Sequence, residues 1–122
     1  MYYFRLQLLQ YNYFGDHNMK VEKPWGHEIR WAISDKYLGK ILHINAGHRL
    51  SKQYHREKDE TIYVLKGSLL LEMGPHHEYT DTETGLRQVL SEGQSQRIRP
   101  GLIHRYCADK DDVVHLIFYE VV

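Results

Sequence analysis

Four polar side chains in this sequence have the residue types and the spacing of a metal site. Gln53 and His55 lie two positions apart, so on a β-strand their side chains would point to the same face. Glu60 follows the turn 56–59 and would return beside them, and His104 begins a later strand. An amide oxygen, two imidazoles and a carboxylate form a mixed nitrogen and oxygen set that suits Zn, Mn, Fe, Co or Ni. On spacing alone, a solvated sheet face without an ion explains the same residues.

The elements that would position these residues are short strands separated by turns. Alternating or β-forming runs lie between turn signals such as Ser34-Asp35-Lys36, Lys66-Gly67-Ser68 and Pro100-Gly101. The predicted strands cover residues 28–33, 37–45, 60–65, 69–73, 87–90, 96–99, 104–108 and 113–120. The third and fourth of these are predicted to form a hairpin. No window of about 12 residues shows a helical apolar period. This pattern predicts an all-β sandwich or barrel.

Composition excludes several classes of protein. The chain has 122 residues, which predicts one domain with room for a hydrophobic core. Lys and Arg number 16, as do Asp and Glu, so the formal charge is zero and neither nucleic acid nor a membrane surface is an expected partner. No apolar run approaches the roughly 20 residues of a membrane-spanning helix. A single cysteine, Cys107, excludes an intrachain disulfide and favours a cytoplasmic protein.

Residues 1–18 differ from the rest of the chain, and residues 19–122 form the predicted domain. The first segment is rich in tyrosine, phenylalanine and leucine, lacks the features of a signal peptide, and is followed by Met19. Three interpretations stay open: a start-site artefact, a strand added to a sheet edge, or an arm that contacts a second copy. A homodimer is the expected assembly, because exposed sheet edges can pair with a second chain and twofold oligomers are the commonest.

Two stretches of the chain resemble the paired motifs of the cupin superfamily. The residues at the motif spacings are Gly47, Gln53, His55, Glu60, Gly67, Gly93, Pro100, Gly101 and His104. The first motif departs from the usual pattern at Gln53, which stands in place of a first His. The second departs at Arg99 and Ala108, which stand in place of Pro and Asn. The resemblance implies a single cupin domain, a double-stranded β-helix or jelly-roll barrel. It also implies one divalent metal ion per chain, held by Gln53, His55, Glu60 and His104.

Within that superfamily the chain resembles the sugar-isomerase domain of type II phosphomannose isomerases. This likeness is carried by residues 21–28, 39–44 and 47–51 and by the Gln-x-His pair at 53–55. It implies zinc as the first choice of metal, with Mn, Ni, Fe or Co as alternatives. It also implies aldose–ketose isomerisation of a sugar or sugar phosphate such as mannose 6-phosphate. In that chemistry a base removes a proton from the carbon beside the carbonyl, and the metal stabilises the developing oxyanion.

Candidates for the remaining roles come from their positions relative to the motifs. His43, on the strand that leads into the first motif, is the first candidate for the base, followed by Lys52 and Tyr63. Phosphate contacts are expected from the arginines near the second motif, namely Arg97, Arg99 and Arg105. Plain alternatives stay open: His43 as a hydrogen-bonded core histidine, and Arg97 and Arg99 as solvated edge residues.

Three classes of function stay open for a small-molecule partner. The first is a metal-dependent isomerase or epimerase-like enzyme that acts on a sugar. The second is an iron dioxygenase that uses His55, Glu60 and His104 as a two-histidine, one-carboxylate set. The third is a non-catalytic cupin that binds or senses a small molecule. The pocket would distinguish these classes. A basic rim would favour phosphorylated substrates, and an apolar, closed pocket would favour an oxygenase. A pocket without a proton-transfer group would favour a protein that only binds its ligand.

Overall fold

The computed structural model describes residues 19–76 and 86–121, which form strands joined by turns. The strands in these ranges are β1 (Met19–Lys23), β2 (Gly26–Ile33), β3 (Tyr37–Ile44), β4 (Asp59–Lys66), β5 (Leu69–His76), β6 (Leu86–Leu90), β7 (Ser95–Ile98), β8 (Leu102–Ala108) and β9 (Val114–Val121). Within the two ranges no helix is long and apolar enough to cross a membrane. The predicted extension 1–18 lies outside the described residues, and β1 is a strand that the sequence pattern did not predict.

Two antiparallel sheets build the domain. The larger sheet has the strand order β1-β2-β3-β9-β4-β7, and the smaller has the order β6-β5-β8. The predicted hairpin between β4 and β5 was wrong, because β4 pairs with β7 and β9 whereas β5 pairs with β6 and β8. The turn between β4 and β5 therefore carries the chain from one sheet to the other. The predicted all-β jelly-roll fold is confirmed.

Period-two alternation buries one face of the central strands β4 and β9. On β9 the residues Val114, Leu116, Phe118 and Glu120 are buried, while those between them are half-buried or exposed. The inner faces of both sheets meet in one cluster, whose least accessible members include Ile44, Ile62, Val64, Leu69, Leu71, Tyr106, Val114 and Leu116. Each large apolar side chain buried in this way stabilises the fold by about 1.5–3 kcal/mol before entropy is counted.

The inner face of the larger sheet changes from apolar to polar along its strands. Glu60 precedes the buried residues Ile62 and Val64 on β4, and Glu120 follows Phe118 on β9. Glu60 and Glu120 are direct partners in the antiparallel register, so both carboxylates lie at the same end of the interior. One end of the interior is therefore an apolar core, and the other end is lined by charged groups.

Gly67 lies in the turn between β4 and β5, close to the backbone of Val113. Its φ is +85°, and a Cβ there would overlap the Val113 carbonyl oxygen. Gly47 has a φ of +76°, but the nearest atom to its Cβ would be 3.8 Å away. We expect Gly47→Ala to cost about 1–2 kcal/mol for the left-handed backbone. Gly67→Ala should cost about 1–3 kcal/mol more because of the overlap. Urea unfolding measures both variants, and equal losses would contradict the Val113 contact.

Candidate metal centre

Three donor groups from two strands and a loop meet at the polar end of the interior. Glu60 lies on β4 and His104 on β8, and they are 2% and 1% exposed. His55 lies in the loop before β4, with 27% of its side chain exposed. One ligand atom from each of the three lies within 4.8 Å of the others. The structure thus brings together three of the four residues that the sequence suggested as metal ligands.

Backbone hydrogen bonds between the two motif segments hold these donors in register. Gln53 and His104 exchange backbone hydrogen bonds of 3.0 and 2.8 Å. The Gly101 N–H donates to the His55 carbonyl oxygen over 2.6 Å. Gln53 lines the same pocket as His55 and Glu60, so the fourth suggested ligand lies in the same region.

The Glu60 carboxylate is surrounded by polar partners. Its Oε1 lies 2.7 Å from His55 Nε2, and its Oε2 lies 3.4 Å from His104 Nε2. The Tyr106 hydroxyl donates a hydrogen bond of 2.9 Å to Oε2. Burial raises the pKa of Glu60, but contact with His104 and the hydrogen bond from Tyr106 bring that pKa below its ordinary value. Glu60 is therefore ionised at neutral pH, which is the form that binds a metal.

His104 presents a nitrogen without a hydrogen-bond partner to this carboxylate. Its Nδ1 lies 2.9 Å from the Leu102 carbonyl oxygen, which can only accept, so Nδ1 carries a proton. Its Nε2 is buried and makes no hydrogen bond to the described residues. Such a buried polar atom costs about 1–3 kcal/mol, and a divalent ion would satisfy it. Burial lowers the pKa of His104, but Glu60 and the Leu102 carbonyl raise it overall, so an ion would compete with a proton there.

A pocket of about 220 Å³ is lined by His55 and Glu60, two of the three donors, and we call it the site pocket. Its apolar lining consists of Trp25, Leu38, Leu42, Leu50 and Phe118. Its polar lining consists of Glu28, Arg30, Lys40, Gln53, His55, Lys58, Glu60, Tyr106 and Glu120. Pockets for drug-sized ligands are usually about 300–1,000 Å³, so this one suits a small polar molecule.

Glu28 is a buried carboxylate on the wall of the site pocket, and cations surround it. Its carboxylate oxygens lie 3.0 Å from Lys40 Nζ, 3.1 Å from Arg30 Nη2 and 3.8 Å from Lys23 Nζ. Burial raises the pKa of Glu28, but Lys40 and Arg30 bring it below its ordinary value. The ionised carboxylate therefore holds the Lys40 and Arg30 side chains against the pocket wall.

Glu120 is a second buried carboxylate in the site pocket, and only 4% of it is exposed. It is the cross-strand partner of Glu60, so it lies next to the three donors without being one of them. Lys58 Nζ lies 3.2 Å from its Oε1, and the Lys58 side chain is 45% exposed. The pocket therefore has a shielded carboxylate inside and a partly solvated cation that pairs with it.

The three suggested proton-transfer residues lie outside the site pocket. His43, the first candidate for the base, lies on the opposite face of β3 from the buried residues Leu42 and Ile44, so it does not face the site pocket. Tyr63 lies on the outer face of β4 and is 40% exposed, and Lys52 is exposed in the loop before β4. Both faces of β3 carry apolar residues, so its alternation does not show which face is buried.

The arginines suggested as phosphate ligands also lie outside the site pocket. Arg97 binds Asp59 on the outer face, over 3.0 Å from Nε to Oδ1 and 2.6 Å from Nη2 to Oδ2. Arg105 Nε lies 3.5 Å from Glu72 Oε2, and Arg99 is exposed. Two of the three are therefore engaged by carboxylates on the far sides of the sheets.

Several members of the pocket were not proposed as site residues from the sequence, namely Glu28, Lys40, Lys58, Tyr106 and Glu120. Two of them carry a signal in the sequence. Tyr106 lies two positions after His104, and Glu120 shares the parity of the buried apolar residues of β9. Lys58 carries no such signal, because it lies in a turn whose course follows from the fold.

Comparison with known proteins places this arrangement in a family. A family model described as the cupin domain matches residues 40–120, which contain both motif segments and the three donors. The chain belongs to the cupin family. The predicted resemblance to the cupin superfamily is therefore confirmed. A search of curated protein sequences finds no significant match to this cupin.

Solved structures similar to this cupin share its fold at low sequence identity. A protein from Bacillus halodurans matches with a TM-score of 0.62 and 17% identity, over 71% of this chain and 63% of that one. CapF, a capsular polysaccharide assembling protein from Staphylococcus aureus, matches with a TM-score of 0.75 and 14% identity, over 88% and 31%. An RmlC-like cupin from Shewanella frigidimarina matches with a TM-score of 0.71 and 16% identity, over 88% and 86%. The cupin thus spans less than two thirds of the first two proteins.

The three donors predict that one divalent ion such as Zn²⁺ binds at this site, and that Tyr106→Phe weakens this binding. The variant removes the hydroxyl that orients Glu60, so we expect about a 10–100-fold loss of affinity. Tyr63→Phe removes a hydroxyl on the outer face and should leave the affinity unchanged. Competition with a chelator measures both variants. Equal affinities in the two variants, or no bound ion after reconstitution, would contradict the site.

The Glu28 cluster predicts a specific dependence of stability on pH. The pKa of Glu28 is lower in the folded than in the unfolded chain. Its carboxylate therefore stabilises the fold above the unfolded pKa, and this stabilisation is lost as the pH falls through the folded pKa. Glu28→Gln should lower the free energy of unfolding by about 1–3 kcal/mol at neutral pH, and by much less in acid. Urea unfolding from acid to neutral pH measures the difference in unfolding free energy between the wild type and Glu28→Gln. The exposed Glu22→Gln variant is the control, and a gap that does not change with pH would refute the prediction.

Proposed function

We propose that this cupin is a metal-dependent enzyme that interconverts the aldose and ketose forms of a small sugar or sugar phosphate. The observation that carries the proposal is the site pocket, where two of the three metal donors, His55 and Glu60, line one small cavity together with the buried carboxylate of Glu120. The similar protein CapF assembles a capsular polysaccharide, which is in keeping with carbohydrate chemistry.

Aldose–ketose isomerisation moves a proton between two neighbouring carbons by way of an enediol. It needs positive charge near the carbonyl oxygen and a group that accepts the proton from the adjacent carbon. His55, Glu60 and His104 would hold a divalent ion, with Gln53 beside them in the pocket lining. When bound, the ion supplies the Lewis-acid charge that stabilises the oxyanion.

Glu120 is the residue to which we assign proton transfer. It is the cross-strand neighbour of Glu60, so it lies beside the donors on the pocket wall. Burial shields it from water, and Lys58 pairs with it over 3.2 Å. From this position its carboxylate can take a proton from one carbon of a bound sugar and return it to the next.

The polar lining favours a sugar over the small organic acid of a dioxygenase. Each sugar hydroxyl both donates and accepts hydrogen bonds, and the pocket offers carboxylates and cations at fixed positions. Glu28 with Lys40 provides one such pair, and Glu120 with Lys58 provides another. Lys58 is partly exposed and is the cation we assign to a substrate phosphate.

The test is an exchange assay with the metal-loaded protein in D₂O. Mannose and mannose 6-phosphate are the first substrates, and NMR follows loss of the carbon-2 proton and formation of the ketose. Glu120→Gln should lower kcat by about 10²–10⁴-fold while the metal content stays that of the wild type. Glu22→Gln, which changes an exposed carboxylate on β1, is the matched control and should retain full activity.

Two results would overturn the proposal. Sugar binding without any carbon-2 exchange in a panel of aldoses and their phosphates would show a binding protein instead of an isomerase. Oxygen consumption by the iron-loaded protein, again without exchange, would show a dioxygenase. Isomerisation that survives Glu120→Gln unchanged would keep the reaction but refute Glu120 as the base.

A further inference from the structure

A row of side chains crosses the outer face of the larger sheet, outside the site pocket. In cross-strand register, the row consists of Glu22 on β1, His27 on β2, His43 on β3, His115 on β9 and Lys66 on β4. Direct cross-strand partners have Cβ atoms about 4.5–5.5 Å apart, so neighbouring rings in such a row can touch. None of the five residues lines the site pocket.

The three imidazoles of this row are in contact. His43 Nδ1 lies 2.7 Å from His115 Nε2, and the two ring centroids are 4.6 Å apart. His27 stacks on His43 with a centroid distance of 4.5 Å and an interplanar angle of 12°. All three residues are half-buried. Two ring nitrogens on adjacent strands therefore face each other across one hydrogen bond.

This nitrogen pair is close to the geometry of a metal chelate. Imidazole nitrogen binds Zn²⁺ at about 2.0–2.1 Å, so two nitrogens on one tetrahedral ion are about 3.3 Å apart. Replacing the shared proton by an ion requires His43 and His115 to separate by roughly 0.6 Å. The two strands pair from Tyr37 with Val121 to Ile44 with Val114, which holds the rings in this arrangement before any ion binds.

We propose that His43 and His115 form a second metal site on the outer face, for divalent ions that prefer imidazole, such as Ni²⁺, Cu²⁺ or Zn²⁺. Water completes the coordination, because the rings are partly exposed. His27 holds the ring plane of His43 by stacking, and Lys66 opposes binding by repulsion across from His115. A bound ion would join β3 to β9. The proposal of this outer site does not depend on the proposed isomerase activity.

The test counts Ni²⁺ ions per chain by equilibrium dialysis of the full chain. His115→Asn and His43→Asn should each lose about one bound ion relative to the wild type. His55→Ala should retain the outer ion, because it changes only the pocket donors. His48→Asn is the matched control, since His48 is an exposed histidine outside both sites. A His76→Asn/His77→Asn variant controls for binding by adjacent histidines in the sequence, and both controls should bind as the wild type does.

A second variant keeps the test decisive if a histidine substitution perturbs the fold. Lys66→Glu leaves both rings in place and replaces repulsion by attraction, so it should tighten binding of the outer ion by about 2–10-fold. Urea unfolding without metal checks that each variant is folded. The proposal is overturned if folded His115→Asn and His43→Asn bind as much Ni²⁺ as the wild type, or if Lys66→Glu leaves the affinity unchanged.

Discussion

Burial of the Glu60 charge is the constraint on which the rest of the structure depends. A carboxylate removed from water is stable only when charges and hydrogen bonds replace its hydration. Here the hydration of Glu60 is replaced by contacts with His55, His104 and Tyr106. Two of these residues belong to β8 in the smaller sheet, one belongs to the loop before β4, and Glu60 belongs to the larger sheet. Satisfying one carboxylate therefore brings both sheets and the connecting loop to a single point.

Other buried carboxylates at the polar end of the interior are also paired with charged groups, and the apolar end supplies the stability. Glu28 is held by Lys40 and Arg30, and Glu120 is held by Lys58. Pairs of this kind are weak sources of stability, yet removing one partner leaves a buried polar group unpaired, which costs about 1–3 kcal/mol. The carboxylates thus fix the geometry of the pocket while the apolar cluster provides the net stability. Titratable groups gathered at one end of a cavity are the arrangement that a binding or catalytic site needs.

The sequence was sufficient for the fold and for the three donors, and insufficient for the rest of the pocket. Glu60 and His104 could be placed because, together with the glycines of the turns, they occur at the spacings of the two cupin motifs. The path of the chain after β4 could not be placed, because a tight turn at Gly67 does not say whether two strands pair or change sheets. Glu120 was missed although it shares the parity of the buried residues of β9. His43 was misplaced because the outer face of the larger sheet is also partly apolar. Alternation alone then gives two equally plausible buried faces.

Two histidines, His104 and His43, show that the face of the sheet on which a residue lies decides its partners more than its residue type does. His104 lies inside, with one nitrogen fixed by the Leu102 carbonyl and the other directed at Glu60. His43 lies outside, where its partners are two other imidazoles, one of them 72 residues away in the chain. Both rings can bind a metal, but His104 lies against the Glu60 carboxylate, which lines the site pocket, whereas His43 lies against other imidazoles. A sequence pattern identifies residues able to bind an ion. The strand register, which depends on pairing between distant segments, decides which of them meet and so which chemistry each can take part in.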